Sequence, residues 1–293
     1  MISIDRRAAI MGGVSLALVS AMPARAQDAS AVGYKINIAG RQRMLSQRIA
    51  MAVCMARLGV EPEDNVGFVR ASMAQFDLAQ KALREGSGDF GLPKETHPSV
   101  LAALGRSDDA WADMAGTCSE ITTRRTVSRQ NLQDIAKLNL DVLSRANIVV
   151  KKMIAVYQTD DRSDLGSARA IDMAGRQRML SQKMIKEAAL IGLKFRKTDN
   201  RRFLEETLTT FDNSLFKLMY GDENDDFPAA PEPVLERLLD VEALWLDLYP
   251  LMDEIASSGR ADSFELGELS ASALRLLTMS NEAVERYEQS WQG

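Results

Sequence analysis

Leu132, Ile135, Asn139, Val142, Ala146, Val149, Met153 and Val156 recur at alternating spacings of three and four residues. That period predicts a long helix with one apolar seam, interrupted at a single polar position, of the kind that packs in a bundle near +20°. Breaks at Gly59-Val60-Glu61-Pro62 and between Gly86 and Pro93 divide the preceding stretch into shorter helical runs. The first half of the chain therefore reads as four helices, over about 31–58, 64–84, 98–114 and 119–158. The second half repeats the plan, with Pro228, Pro231 and Pro233 in the loop before its third helix.

The repetition extends to the letters. Ala39–Gln47 reads AGRQRMLSQ, and so does Ala174–Gln182, 135 positions later. Phe76-Asp77 and Gly86 match Phe211-Asp212 and Gly221 at the same offset. Val100-Leu101, Trp111, Leu143, Asn147 and Val150 match Val234-Leu235, Trp245, Leu277, Asn281 and Val284 at an offset of 134. A single one-residue slip over that span marks a duplicated unit. The expected fold is all-α, as two tandem four-helix up-down bundles over residues 27–158 and 167–293, joined by a polar link at 159–166. A short link after an up-down-up-down bundle favours bundles side by side, related by an approximate twofold. A continuous helix through the joint, stacking them end to end, is the alternative.

Composition changes this picture little and location more. The chain has 293 residues, 46% hydrophobic, with 6% aromatics, and is rich in the strong helix formers. Residues 1–26 stand apart: Arg6-Arg7, an apolar run over 8–21 and Ala24-Arg25-Ala26 form the pattern of a cleaved export signal. The run is too short to span a bilayer, and no other stretch qualifies, so a periplasmic protein with no transmembrane span after cleavage is expected. The paired arginines leave the general secretory and twin-arginine routes both open. Beyond residue 26 there are 33 basic and 40 acidic residues, a net charge of −7. Such a chain is a poor binder of nucleic acid or anionic membrane. Any anion would have to be held by local cations.

The repeated stretch supplies them. On a helical wheel Ile38, Leu45, Ile49, Ala52 and Ala56 form one apolar stripe, facing the home bundle. A second face carries Ile36, Gly40, Arg43, Met44, Gln47, Met51 and Cys54. Glycine in mid-helix costs about 1 kcal/mol relative to alanine, and the usual reason to keep it is close approach of a backbone or ligand. If the two first helices meet on this face, Arg43 faces Arg178. Neither guanidinium can neutralise, and a small oxyanion between them would replace repulsion with charge-assisted hydrogen bonds. Gln47 and Gln182, one turn on, could add amide donors. Alternatively, each arginine pairs with an acidic side chain and the repeat serves packing.

INIAGRQRMLSQRIA (36–50) and IDMAGRQRMLSQKMI (171–185) resemble the first-helix signature of the NarX-like, PilJ-type sensor domain, and the resemblance covers nearly all of the chain after residue 26 as two copies. This family occurs in nitrate/nitrite sensor kinases and in the type IV pilus methyl-accepting chemotaxis transducer. The resemblance implies a periplasmic four-helix bundle. In the nitrate sensors it further implies an anion held between two first helices by a symmetric arginine pair, which falls on Arg43 and Arg178 here. The family's Ala-Gly pair falls on Ala39-Gly40 and Ala174-Gly175. Arg41 and Arg176 stand where the nitrate-sensing version has an uncharged residue, so the wording is closer to the pilus-transducer branch. The resulting expectation is a sensory protein that binds a small inorganic anion, nitrate or nitrite, through Arg43, Arg178, Gly40, Gly175, Gln47 and Gln182, and reports to a membrane receptor or sensor. The alternative is a ligand-free helical module that docks on a pilus, chemotaxis or other membrane receptor.

Other residues carry less. Cys54 and Cys118 permit a disulfide in an exported protein, or remain two buried thiols. His97, the single histidine, has no metal constellation around it, and the acidic run 222–226 lacks the spacing of a calcium loop. No catalytic constellation and no cofactor motif presents itself, so neither an enzyme nor a cofactor is expected.

Overall fold

A computed structural model describes residues 24–157 and 162–291. The leader-like segment falls outside these residues except for its last three, and so do residue 158 and residues 159–161 of the expected link. Eight α-helices follow in order: α1 (Ala24–Leu58), α2 (Pro62–Glu85), α3 (Pro98–Arg124), α4 (Arg129–Tyr157), α5 (Arg162–Gly192), α6 (Lys197–Tyr220), α7 (Glu232–Ser258) and α8 (Ser263–Trp291). Each set of four closes into one up-down bundle, α1–α4 and α5–α8.

The repeat is as close in three dimensions as in sequence. Phe76 stacks on Trp111 at 3.9 Å between ring centroids, and Phe211 meets Trp245 at 4.5 Å. Each indole donates to the aspartate after the phenylalanine, Asp77 at 2.6 Å and Asp212 at 3.0 Å. The second helix of each unit begins with a left-handed residue, Glu61 or Arg196. Asn65 and Asn200 lock that corner by donating to the carbonyls of Val60 and Glu61, and of Phe195 and Arg196. At the far end Gly86 and Gly221 turn the chain at φ of 80° and 78°, where a Cβ would sit within 2.7–2.8 Å of backbone atoms of the following loop. Only glycine fits there.

Two boundaries differ from the sequence reading. The third helix does not stop at 114 but continues to Arg124, and the fourth starts at Arg129 rather than 119. Gly116 is carried inside α3. The stop is the left-handed Arg125, followed by Ser128, which exchanges hydrogen bonds with Asn131 to open α4. Gly166 likewise lies inside α5; one glycine costs a helix about 1 kcal/mol, too little to end it.

The bundles lie side by side. α1 packs on α5 more extensively than on any helix of its own bundle. Arg43 reaches Asp172 and Arg178 reaches Asn37, while Lys186 reaches Gln47. These pairings fit two parallel helices related by a local twofold. α1 is consequently enclosed by α2, α4 and α5, and both wheel faces of the repeated stretch are buried. A helix enclosed in this way need not be strongly amphipathic.

Candidate functional site

Every residue of the repeated nonapeptide has a structural address. Ala39 and Ala174 are buried against neighbouring helices. Gln42 and Gln177 turn toward their own bundles and donate to the carbonyls of Phe76 and Phe211. Ser46 and Ser181 bond back to the carbonyls of Arg43 and Arg178. Leu45 and Leu180 are core. Arg43 and Arg178 point into the α1–α5 seam, where each is only 1% exposed.

There the two guanidiniums converge over the glycine pair. A Cβ built on Gly40 would lie 3.1 Å from Nη2 of Arg43 and 3.7 Å from Nη2 of Arg178; one on Gly175 would lie 3.1 Å from Arg178 and 3.6 Å from Arg43. The glycines are thus the space into which both cations fit, which accounts for their mid-helix cost. Asn147 and Asn281, a matched pair, accept from Nη1 of Arg43 and Arg178, each at 3.3 Å. Nε of both arginines is buried and finds no acceptor among the described residues.

The symmetry breaks at one position. Arg178 donates from Nη2 to the amide oxygen of Asn37 at 2.6 Å. Its twofold mate, Arg43, meets Asp172, with Nη1 2.7 Å from Oδ1. Asp172 also pairs with Arg176, one turn away, at 2.9 Å. The contact to Arg43 is a charge pair without good hydrogen-bond angles, because Asp172 Oδ1 has no hydrogen-bond partner. The alternative in which each arginine owns a carboxylate therefore holds directly on one side. On the other side the acid is at one remove: Asn37 lies beside Glu288, whose carboxyl is raised to about 7 by burial, against the opposing pull of Asn37, Arg178 and Arg41.

The electrostatics follow from that inventory. Burial, then Arg41, pushes the Arg178 guanidinium down to about 9, with Arg43 adding to the fall. Burial also lowers Arg43, partly offset by Asp172. Both remain cations at neutral pH, so the seam holds two buried positive charges against one carboxylate in direct contact. That excess costs folding free energy unless something negative joins it.

Gln47 and Gln182 occupy the next layer but are otherwise engaged. Gln47 donates to Asn139 and Ser46 and accepts from Lys186 at 2.8 Å, and Gln182 donates to Ser181. Lys186, where the first copy has Met51, is fully buried and pushed down to about 8 by desolvation. Sequence reasoning missed Asp172, Lys186 and Glu288. The signal for Asp172 lay in the text, as the one acid–amide difference just before two otherwise identical motifs.

The disulfide allowed by sequence is not formed: Cys54 and Cys118 are free, buried thiols, each pushed up to about 12 by burial. Cys54 is near enough to Lys186, on the other bundle, to feel its charge. His97 caps α3, accepting from the backbone of Ser99. In the acidic run after Gly221, Asp222 pairs with Lys217, and Asp225 with Lys217 and Arg169. Among the described residues no group of acidic, histidine or cysteine side chains gathers to hold a metal, and no helix is long and apolar enough to cross a membrane.

Comparison with curated proteins gives no match. Comparison with protein families gives a match to PilJ, described as "Type IV pili methyl-accepting chemotaxis transducer N-term", over residues 26–139 and again over 162–268. The two matches fall on the two bundles and together cover most of the chain. A tandem pair of PilJ sensory domains, not a catalytic family, is what the duplicated helices form, and the chain belongs to the PilJ family.

Proposed function

We propose that the protein is a periplasmic sensory component that holds a small oxyanion, nitrate or nitrite, between Arg43 and Arg178 and reports its occupancy to a membrane partner. The observation that carries the reading is the convergence of two fully buried guanidiniums over Gly40 and Gly175, with a carboxylate, Asp172, against Arg43 and an amide, Asn37, against Arg178. A planar oxyanion matches the guanidinium fork and would supply the missing charge. The two unsatisfied Nε donors add to the argument. The export-like leader and the family's place in chemotaxis transducers support the location and the membrane partner.

Asp172 defines how such a site would work. It stands where an anion's second oxygen would otherwise meet Arg43, in a contact of poor hydrogen-bond geometry. Entry of an anion would turn this side chain toward Arg176, which already holds its other oxygen.

The test is thermal unfolding in nitrate against chloride at matched ionic strength. A ligand that binds only the folded state stabilises it by RT ln(1 + [L]/Kd), about 2.7 kcal/mol at a hundredfold excess over Kd. Arg43→Met and Arg178→Met together replace the cations by apolar chains of similar reach. Absence of a nitrate-specific shift in the native protein, or its survival in the double variant, refutes the reading.

A second reading, a ligand-free helical module that docks on a membrane receptor, is favoured by the same Asp172, which already neutralises one arginine internally. It predicts melts indifferent to nitrate and a partner retained after both arginines are replaced.

A further inference from the structure

Away from the seam, the duplication allows the surfaces of the two units to be compared position by position. On the outer side of the α6–α7 groove, Phe216, Tyr220 and Leu246 are 62%, 54% and 63% exposed, with Leu239 and Tyr249 also exposed. Their counterparts in the first unit, in the order Phe216, Tyr220, Leu246, Leu239 and Tyr249, are Lys81, Glu85, Ala112, Gly105 and Ala115. Five polar or small positions in one copy have become large and apolar in the other.

These side chains form one strip. Phe216 and Tyr220, one turn apart on α6, pack ring to ring at 4.8 Å between centroids, tilted by 54°. Asp212, one turn before Phe216, bonds the Trp245 indole, and Tyr249 packs edge-on against that ring at 5.4 Å. The exposed faces of α6 and α7 therefore border the same groove. Together the five side chains present on the order of 500 Å² of surface, the size at which a patch on a monomer is often functional. None of this apolar surface is needed for the bundle, because the first unit packs without it.

The border of the strip is acidic. By helical position Glu205 and Glu206 on α6, and Glu242 and Asp253 on α7, flank it; of the two cations at that end, Arg202 is paired with Glu206 at 2.6 Å and Arg201 is tied to the carbonyls of Ala256 and Ser257, so the balance is negative. An isologous contact between two copies would set these carboxylates against each other. We propose that the α6–α7 groove of the second unit docks a partner's amphipathic helix, whose apolar face enters between Phe216, Tyr220 and Leu246 and whose flanks carry lysine or arginine. This is helix-in-groove recognition, with the apolar anchors giving affinity and the acidic rim selecting charge. It is independent of what the arginine seam holds.

A fluorescein-labelled 18-residue amphipathic peptide of leucine and lysine, and its leucine–glutamate twin, test the proposal by anisotropy with the full chain. The variant Phe216→Lys, Tyr220→Glu, Leu246→Ala copies the first unit's residues without changing net charge. Its substituted positions are more than half exposed, so its circular-dichroism melt should match the native protein. The native chain should bind the lysine peptide at least tenfold more tightly than the variant does, and at least tenfold more tightly than it binds the twin. Equal binding by native and variant chains, equal binding of the two peptides, or no binding by the native chain overturns the proposal. So does a native dimer in sedimentation that the variant loses, which would make a second copy the occupant.

Discussion

Asp172→Asn makes the second repeat read as the first does at the position of Asn37, and its effect can be worked from the seam itself. In the native chain Asp172 is the carboxylate in direct contact with the buried Arg43. Removing one partner of a buried ion pair costs about 3–5 kcal/mol. The amide, however, keeps an oxygen for Arg43, as Asn37 already does for Arg178 at 2.6 Å. The expected cost is therefore nearer 2 kcal/mol, and at roughly 2–4 °C per kcal/mol for a chain of this size the melting temperature in chloride should fall by about 4–8 °C. Nitrate should reverse this. With the internal carboxylate gone, the anion no longer competes for Arg43, and a tenfold gain in affinity corresponds to about 1.4 kcal/mol. Nitrate titrations by calorimetry on the native protein and the variant, with melts in nitrate and chloride, separate the two effects. If the variant melts low in both salts and binds nitrate no more tightly than the native chain, Asp172 is a structural counter-ion and the gating argument is wrong. If neither chain binds nitrate, the anion reading itself fails.

Two further outcomes follow from the same structure. Glu288, raised to about 7 from 4.5 by burial, binds its proton more tightly folded than unfolded, so its cost is absent below pH 4.5, grows as pH rises to 7 and is constant above. The protein should lose about 2 kcal/mol between pH 5 and 7.5 from this group; urea melts of Glu288→Gln across that range should be flatter, and an unchanged slope would refute the assignment. Gly86→Ala and Gly221→Ala each place a Cβ against backbone in a left-handed turn and should each cost more than 1 kcal/mol, whereas Gly88→Ala, with open space around it, should cost less than half as much in the same melts.

Much of this was legible in the sequence because the repeat prints each constraint twice. The heptad run of α4, the Phe-Asp and Trp matches and the paired glycines all fell where the structure puts them. The wheel of the repeated stretch correctly divided Leu45 and Ile49 from Arg43 and Met51. Helix ends were less legible. The sequence reading ends the third helix at 114, but the apolar period of α3 continues past Gly116 through Cys118 and Ile121, and the stop at Arg125 is a backbone conformation that no residue type announces. The asymmetry of the seam was the hardest part. Asn37 and Asp172 lie between the two wheel faces, so neither was assigned to the site. Glu288 reaches it from α8, 110 residues beyond Arg178, through the amide of Asn37. A periodicity argument within one helix cannot see a contact made by another.

That asymmetry also shows what fusing two units into one chain permits. In a dimer of identical subunits an acid beside one arginine would appear beside both. Here Asp172 faces Arg43 and not Arg178, while its mate Asn37 lies against Glu288, at a position where the first unit has Ile154. The placement is testable by exchange. Asn37→Asp with Asp172→Asn moves the carboxylate to Arg178 and would be neutral if the seam were truly twofold. It should not be, because the relocated carboxylate would meet the Glu288 carboxyl, already held near 7, and two acids within hydrogen-bond reach cannot both ionise cheaply. The exchanged chain should be less stable than the native one at pH 7.5, by about 1–3 kcal/mol if one carboxyl of the pair holds its proton about one to two pH units more tightly, and should recover toward pH 5. Adding Glu288→Gln should recover most of the loss at pH 7.5. If the exchange alone is neutral across that range, the acid's position carries no information. If it is destabilising and Glu288→Gln rescues it, the two repeats have diverged into non-interchangeable halves, with the carboxylate confined to the side where it has no acidic neighbour.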